Sequence, residues 1–357
     1  MTKRFRTDNT DHMFSENDLI AVRIFRQHLT SPVRHLDAAR DLNGFQSQFI
    51  TASLHSLRIR SLDSDIESGM VRNWTVRGTM HIFAENDLPV FLHDPEHYRS
   101  LTFSDTYYGS DGKVIIAPDI QRYWSEKIIS YIENGIHARD DLKKACISDG
   151  MSDEQVEIMF DQWGGGIRTL CERGFINCRL SERKEYDLSP IFEPLYAEIA
   201  ETEIIRRYFA SYGPASVRDA AYYCGCSQKK IREIMSRIPL ESIDVNGTAL
   251  YYSGDIERHN GIPDCLLLGG FDQLMLGYFK ESSLFLPREY LRGIFTLSGI
   301  VMPAVLYRGK AAGRWKKKNK TVKIEMFCRL DTDMKKSITD KAESLFGDLR
   351  EIRFAEI

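Results

Sequence analysis

The segment Gly44-Phe45-Gln46-Ser47-Gln48-Phe49 holds the residues of this chain best placed to do chemistry. Gln46 and Gln48 lie two apart between two helical stretches, and in an extended linker such side chains share one face. A carboxamide donates and accepts hydrogen bonds at once, so a pair can hold a water molecule or the edge of a base. A neutral amide is not a strong base. It can nevertheless orient a water for attack, and its carbonyl dipole can stabilise a cation that develops in the transition state. A second reading stays open at this level, in which both glutamines are polar loop and cap residues.

Other catalytic devices are missing from the sequence. There is no G-x-x-x-x-G-K-[ST], no G-x-G-x-x-G, no G-x-S-x-G and no His-Glu-x-x-His. His93 and His97 are four apart, but Pro95 between them disturbs a helical pairing, so surface histidines are expected. Cys224 and Cys226 lack a second pair, so inert thiols are expected. No metal site and no cofactor are expected. Seven cysteines without framework spacing read as free thiols in a reducing cytoplasm.

The charge is unevenly spread. Arg308, Lys310, Arg314, Lys316, Lys317, Lys318, Lys320 and Lys323 are eight cations in one short run without an acid; taking them from the net −3 leaves the rest of the chain at −11. Such a patch suits phosphate binding, because the local field matters more than the total; a solvated strand-and-loop face is the plainer alternative. Hydrophobic residues at 43% and charged residues at 28% exclude a mostly disordered chain. The uncharged stretch Gly293 to Tyr307 falls short of the ~18 apolar residues of a membrane helix and carries Gly299 and Pro303. No membrane partner is therefore expected. Met1 to Phe14 is polar, so no secretory signal is expected.

The clearest elements lie between Glu198 and Gly254. A helix carrying Ile199, Ile204, Ile205 and Phe209 stops at Gly213-Pro214. A second runs from Ser216 to Tyr223 and breaks at Gly225. A third, Gln228 to Arg237, starts after Ser227, with Ile231 and Ile234 inward. Asn246-Gly247 between two strand-like runs marks a hairpin. Three helices and a hairpin make a winged helix, whose third helix, with Lys229 and Lys230 near its start, is the potential groove reader.

The same order recurs more faintly upstream. Helices are expected over Gln121 to Asn134, Ala138 to Ala145 and from Ser152, with Gln155 completing a capping box and Gly164 to Gly166 interrupting; a wing follows from Ile176 to Leu188. Nearer the start, Glu16 to Leu29, Leu36 to Leu42 and Phe49 to Arg60 read as helices and Trp74 to Phe83 as a strand. Beyond Asp255, short strands at Leu266–Leu268, Phe285-Leu286, Val301 to Tyr307 and Thr321 to Phe327, with glycines between, suggest a small barrel or curled sheet, closed by a helix from Asp333 to Leu345 and a last strand from Arg350 to Phe354. The fold class expected is α+β. Three tandem winged-helix units (1–117, 118–196 and 197–255) precede a small C-terminal β-barrel (256–357).

Gly44 to Arg60, GFQSQFITASLHSLRIR, resembles the G-[L/F]-Q-x-Q block of the AlkZ/YcaQ-like winged-helix DNA glycosylases. Trp74 to His81 is similar to that family's W-T-x-R-G-T-x-H stretch, Tyr208 to Ala220 to its Y-G-P-A-[ST] junction, and Phe271 to Tyr278 to its F-D-x-x-L-L-G-Y. Gly299 to Trp315 resembles its closing G-x-x-x-P…G-x-x-x-G-x-W. The blocks come in the family's order and span most of the chain. The sequence departs in carrying Ser47 between the glutamines and Lys280-Glu281 where Asp-Arg is common.

The resemblance implies a C-shaped molecule with DNA in its concave face. It implies hydrolysis of the N-glycosidic bond of alkylated purines, including crosslinked ones, in DNA repair or toxin self-resistance. The paired glutamines, the family's catalytic element, carry over to Gln46 and Gln48. Arg77 and His81, in the second block, are candidate DNA contacts, as are Lys229, Lys230, Arg314, Lys316, Lys317 and Lys318. Asp272 has no assigned role and could be a turn residue. The partner implied is double-stranded DNA carrying alkylated or crosslinked purines, met by a monomer associated with the bacterial nucleoid. The competing readings are a non-catalytic winged-helix DNA-binding or regulatory protein, and a protein–protein scaffold.

Overall fold

The structure is a computed structural model and describes residues 14–75, 78–256 and 261–357. Arg77 and nearly all of the polar start Met1 to Phe14 lie outside the described residues. The chain three times lays helices down before a two-stranded hairpin. Helices Glu16–Arg26, His35–Asp41 and Ile50–Arg58 precede the strands Met70–Trp74 and Met80–Ala84. Helices Pro118–Glu133, Arg139–Ser148, Asp153–Met159 and Gly165–Glu172 precede Ile176–Cys178 and Tyr186–Leu188. Helices Ala197–Ser211, Val217–Cys224 and Gln228–Met235 precede Glu241–Val245 and Thr248–Tyr252.

The local signals explain most boundaries. Ser152 and Gln155 form a reciprocal capping box, as do Ser216 and Asp219. Ser227 caps the helix after it, and Gly225 ends the helix before it in the left-handed region. Asn246 and Gly247 both have positive φ, as a two-residue hairpin turn of this hand requires. Trp74 to Phe83 is not one strand: the chain turns within it, with Gly78 at φ +63, so its two halves pair antiparallel through Trp74 and Met80.

The first two hairpins merge. Phe45–Gln46, Met80–Ala84, Met70–Trp74, Ile176–Cys178 and Tyr186–Leu188 lie in that order in one five-stranded sheet. The largest core unites helices of the first and third runs with the segment around Leu266–Leu306. Arg23, buried on the first helix, donates from Nε and Nη2 to the carbonyl of Pro214 in the third run, at 2.9 and 2.6 Å. The second run has a core of its own around Trp124, Ile128, Leu142 and Leu170.

The C-terminal region corrects the expected barrel. Its sheet is open, with Cys265–Leu267 and Glu351–Glu356 as separate edges around Ala304–Tyr307, Lys310–Lys318 and Thr321–Met326. Pairing is antiparallel until the last step, where Thr321–Met326 and Glu351–Glu356 run parallel. A parallel pair needs a long crossover, and here it is the helix Thr332–Phe346. That helix lays Met334, Ile338 and Ala342 against Val322, Ile324 and Met326. The apolar face is thus covered by a helix, and the sheet has no need to close on itself. Phe285-Leu286 is not a strand but a buried turn, and the basic run contains an unexpected long strand, Lys310–Lys318.

Candidate active site

The glutamine segment is placed by the helix before it. His35–Asp41 ends in Asn43 and Gly44, both at positive φ, and the Gly44 N–H bonds to the Ala39 carbonyl at 2.7 Å. A Cβ on Gly44 would stand 2.8 Å from the Ile82 carbonyl oxygen, so the sharp exit needs glycine. The chain then pairs with Met80–Ala84, Phe45 opposite Ile82 and Gln46 opposite His81. The Ser47 N–H donates to the Met80 carbonyl at 2.7 Å. The Ser47 carbonyl accepts from Arg72 Nη2 at 2.7 Å, while Arg72 Nη1 donates to Ser181 at 2.9 Å. Helix Ile50–Arg58 starts directly after Phe49, and its Thr51 N–H donates to Glu182 Oε1 at 3.2 Å.

The expected common face for the two glutamines is not found. Gln46 is 5% exposed, whereas Gln48 is exposed. Gln46 belongs to a row of buried polar side chains that crosses the sheet through His81, Asn73 and Asn177. Asn73 Nδ2 donates to Asn177 Oδ1 at 2.8 Å and to the Cys171 carbonyl at 3.0 Å, and Asn177 Nδ2 donates to Ser189 Oγ at 3.1 Å. His81 is 4% exposed, and its Nδ1 lies 2.7 Å from Thr75 Oγ1 and 3.0 Å from the Thr79 carbonyl. The ring is buried and held in place by these contacts. Sequence reasoning passed over Asn73 and Asn177, because polar residues in short strands read as solvent-facing.

Gln48 stands at a groove of about 320 Å³ between the first hairpin and the second run. The first hairpin lines it with Arg72, Trp74 and Met80, and the second run with Arg139, Trp163, Arg168, Cys178, Arg183 and Lys184. Burial draws the Arg72 guanidinium below its ordinary value, and Cys178, Glu182 and Tyr186 pull it back. The Arg168 guanidinium lies 5.8 Å from the Trp74 ring and bonds Glu172 at 2.8 Å. The groove combines cations, aromatic faces and two exposed carboxamides, Gln48 and Gln162, a set that suits an anionic, base-bearing ligand.

Asp272 is not a turn residue alone. Its carboxylate takes Arg60 Nη1 at 2.9 Å and Nη2 at 2.7 Å, both side chains being wholly buried, and it caps the helix Gln273–Leu276 through the Leu274 N–H. Arg60 also donates to the carbonyls of Ser56 and Gln27. The pair ties the helix that follows the glutamines to the segment Gly269–Asp272, where a Cβ on Gly269 would meet the Ala52 carbonyl oxygen at 2.5 Å.

The family described as DNA glycosylase AlkZ-like matches residues 62–346. The chain belongs to the AlkZ-like DNA glycosylase family. A curated relative from Streptomyces sahachiroi, an interstrand DNA cross-link repair glycosylase, is 22% identical over 308 residues, 78% of this chain and 81% of the relative. The solved structure of Streptomyces sahachiroi DNA glycosylase AlkZ matches with a TM-score of 0.72 at 19% identity, over 97% of this chain and all of that one, a likeness of fold. The family match begins beyond Gln46 and Gln48, so membership does not rest on the glutamines.

The remaining candidate contacts are scattered around this AlkZ-like frame. Lys316, Lys323 and Arg353 stand side by side across three strands on the face of the C-terminal sheet opposite its helix. Lys318 shares that face, but Lys317 alternates to the other, its Nζ 5.5 Å from the Phe346 ring. Arg314 donates to Glu325 at 2.7 Å and Lys323 does so at 2.6 Å, which holds the Glu325 carboxyl down at about 2. Lys229 and Lys230 are both exposed; Lys229 Nζ lies 4.0 Å from Glu233, and Lys230 is paired with Glu201. Among the described residues no helix is long and apolar enough to cross a membrane.

Proposed function

We propose that the protein is a monofunctional DNA glycosylase that hydrolyses the N-glycosidic bond of alkylated, N7-substituted purines, with crosslinked purines within its range. The observation that carries this reading is Gln48, an exposed carboxamide at a groove walled by cations and tryptophans. Alkylation at N7 makes the base cationic and a good leaving group. The N9–C1′ bond breaks with its electron pair passing to the base, which departs neutral, and positive charge develops on the sugar. A water adds its oxygen to C1′ and loses a proton to solvent. Little acid catalysis is required, and placing that water is the protein's main task.

Gln48 is the amide that orients the water and presents its carbonyl dipole to the sugar. Gln46, buried opposite His81, supports the segment from beneath. DNA phosphates are held by the outer face of the C-terminal sheet. There Lys316, Lys323 and Arg353 stand in one row, with Lys323 paired to Glu325 and Arg353 to Glu351 inside the protein and Lys316 exposed. Lys318 and Arg314 flank that row, and Lys229 contributes from its exposed helix start. The test is release of free base from duplexes containing 7-methylguanine or a purine crosslink. Released base supports the reading. Tight binding without release leaves a non-catalytic DNA-binding protein.

A further inference from the structure

We propose that Trp163 is the base-stacking residue of this groove and that its ligand is a nucleobase of the damaged DNA; this rests on the glycosylase reading and adds a recognition element to it. Trp163 is 78% exposed, the most exposed of the four tryptophans. Holding so large an apolar ring in water is unfavourable, yet the loop that carries it is firmly built. Asp161 Oδ1 accepts the Trp163 N–H at 2.7 Å, and the Gly164 N–H returns to the Asp161 carbonyl at 3.0 Å. Arg139 donates to the carbonyls of Phe160 and Asp161.

Three glycines follow, and at the first two a side chain has no room. A Cβ on Gly164 would lie 2.4 Å from Arg168 Cβ, on Gly165 2.3 Å from the Ile158 carbonyl oxygen, and on Gly166 2.5 Å from Met159 Cε. The segment therefore folds tightly onto the preceding helix and presents the indole outward. This is a rigid aromatic platform, not a frayed loop. It shares its groove with Gln48 and Trp74.

The charge around it selects the class of ligand. Arg72, Arg139, Arg168, Arg183 and Lys184 outnumber Asp161 and Glu185 along the groove. An aromatic face inside a cationic rim fits a base with its flanking phosphates, since every base has a π-face and every linkage a negative charge. A stacked base would hold the damaged nucleotide beside the Gln48 amide while the water attacks.

Acrylamide quenching of tryptophan emission and single-turnover excision of 7-methylguanine, on the full chain and one damaged duplex, test this. Duplex should protect the wild-type emission from quencher, and Trp163→Ala should lose most of that protection, the remainder belonging to the half-buried Trp74. Trp163→Ala should also raise the protein concentration needed for half-maximal excision by roughly 5- to 150-fold, and Trp163→Phe should restore most of it. Unchanged half-saturation in Trp163→Ala, with protection intact, would overturn the proposal. If the wild type binds but releases no base, the glycosylase reading fails, while the quenching comparison still judges Trp163.

Discussion

Replacing Asp272 with Asn tests how the glutamine segment is braced. The change keeps volume and keeps a cap for the Leu274 N–H, which Asn provides as well as Asp. It removes the charge that compensates Arg60, and both side chains are wholly buried. Taking one partner from a buried ion pair leaves the other charge unmatched and costs about 3–5 kcal/mol. Asp272 takes two of Arg60's donors, so the upper half of that range is expected. Urea denaturation of wild type and variant, followed by fluorescence, measures the loss. The double replacement Arg60→Met, Asp272→Asn should recover part of it, because no buried charge is then left unmatched while Asn still caps the Leu274 N–H. The pH dependence has a definite sign. Burial pushes the Asp272 carboxyl up, but the charge and hydrogen bonds of Arg60 outweigh it and hold the group below its ordinary value. A carboxyl depressed in the folded state contributes stability that is complete above about pH 4 and is lost as pH falls toward the folded value. A variant within about 0.5 kcal/mol of wild type, or one whose stability below pH 4 falls as steeply as the wild type's, would refute the bracing role.

Two further outcomes are expected. Lys316→Ala with Lys318→Ala should weaken duplex binding and reduce the slope of log K against log salt by roughly 0.9 per lost phosphate contact, whereas Lys317→Ala, on the opposite face, should leave the slope unchanged. Base release should persist in EDTA, since water placement by an amide needs no metal; activity abolished by chelator and restored by zinc or magnesium would contradict the mechanism.

Much of the fold was legible because its signals are local. Ser152 with Gln155, Ser216, Gly225 and Asn246-Gly247 each mark an element end through interactions within a few residues. The barrel was misjudged because closure depends on whether two edges meet, and although a helix is expected over Asp333 to Leu345, no local signal shows that it lies across the sheet as a parallel crossover. The strand Lys310–Lys318 was hidden because its outward positions and its far end are all cationic, so the alternation around Trp315 is faint. The site was half legible. The Gln-x-Gln spacing pointed to a segment that borders a groove, but a two-residue strand followed by a bend separates the two side chains, which an extended linker would have kept together. The pairing of Arg60 with Asp272 spans 212 residues and leaves no pattern to read.

The central claim, that the Gln48 amide acts in the chemical step, is tested most directly by single-turnover excision of 7-methylguanine with saturating Gln48→Ala. Gln48 is exposed, so the substitution should leave stability and duplex affinity nearly unchanged. Loss of one oriented transition-state hydrogen bond costs on the order of 2–4 kcal/mol, or roughly 30- to 1000-fold in rate. The defect should persist at saturation, because it belongs to chemistry and not to binding. A wild-type excision rate from Gln48→Ala under these conditions would contradict the account and make the glutamines ordinary loop residues.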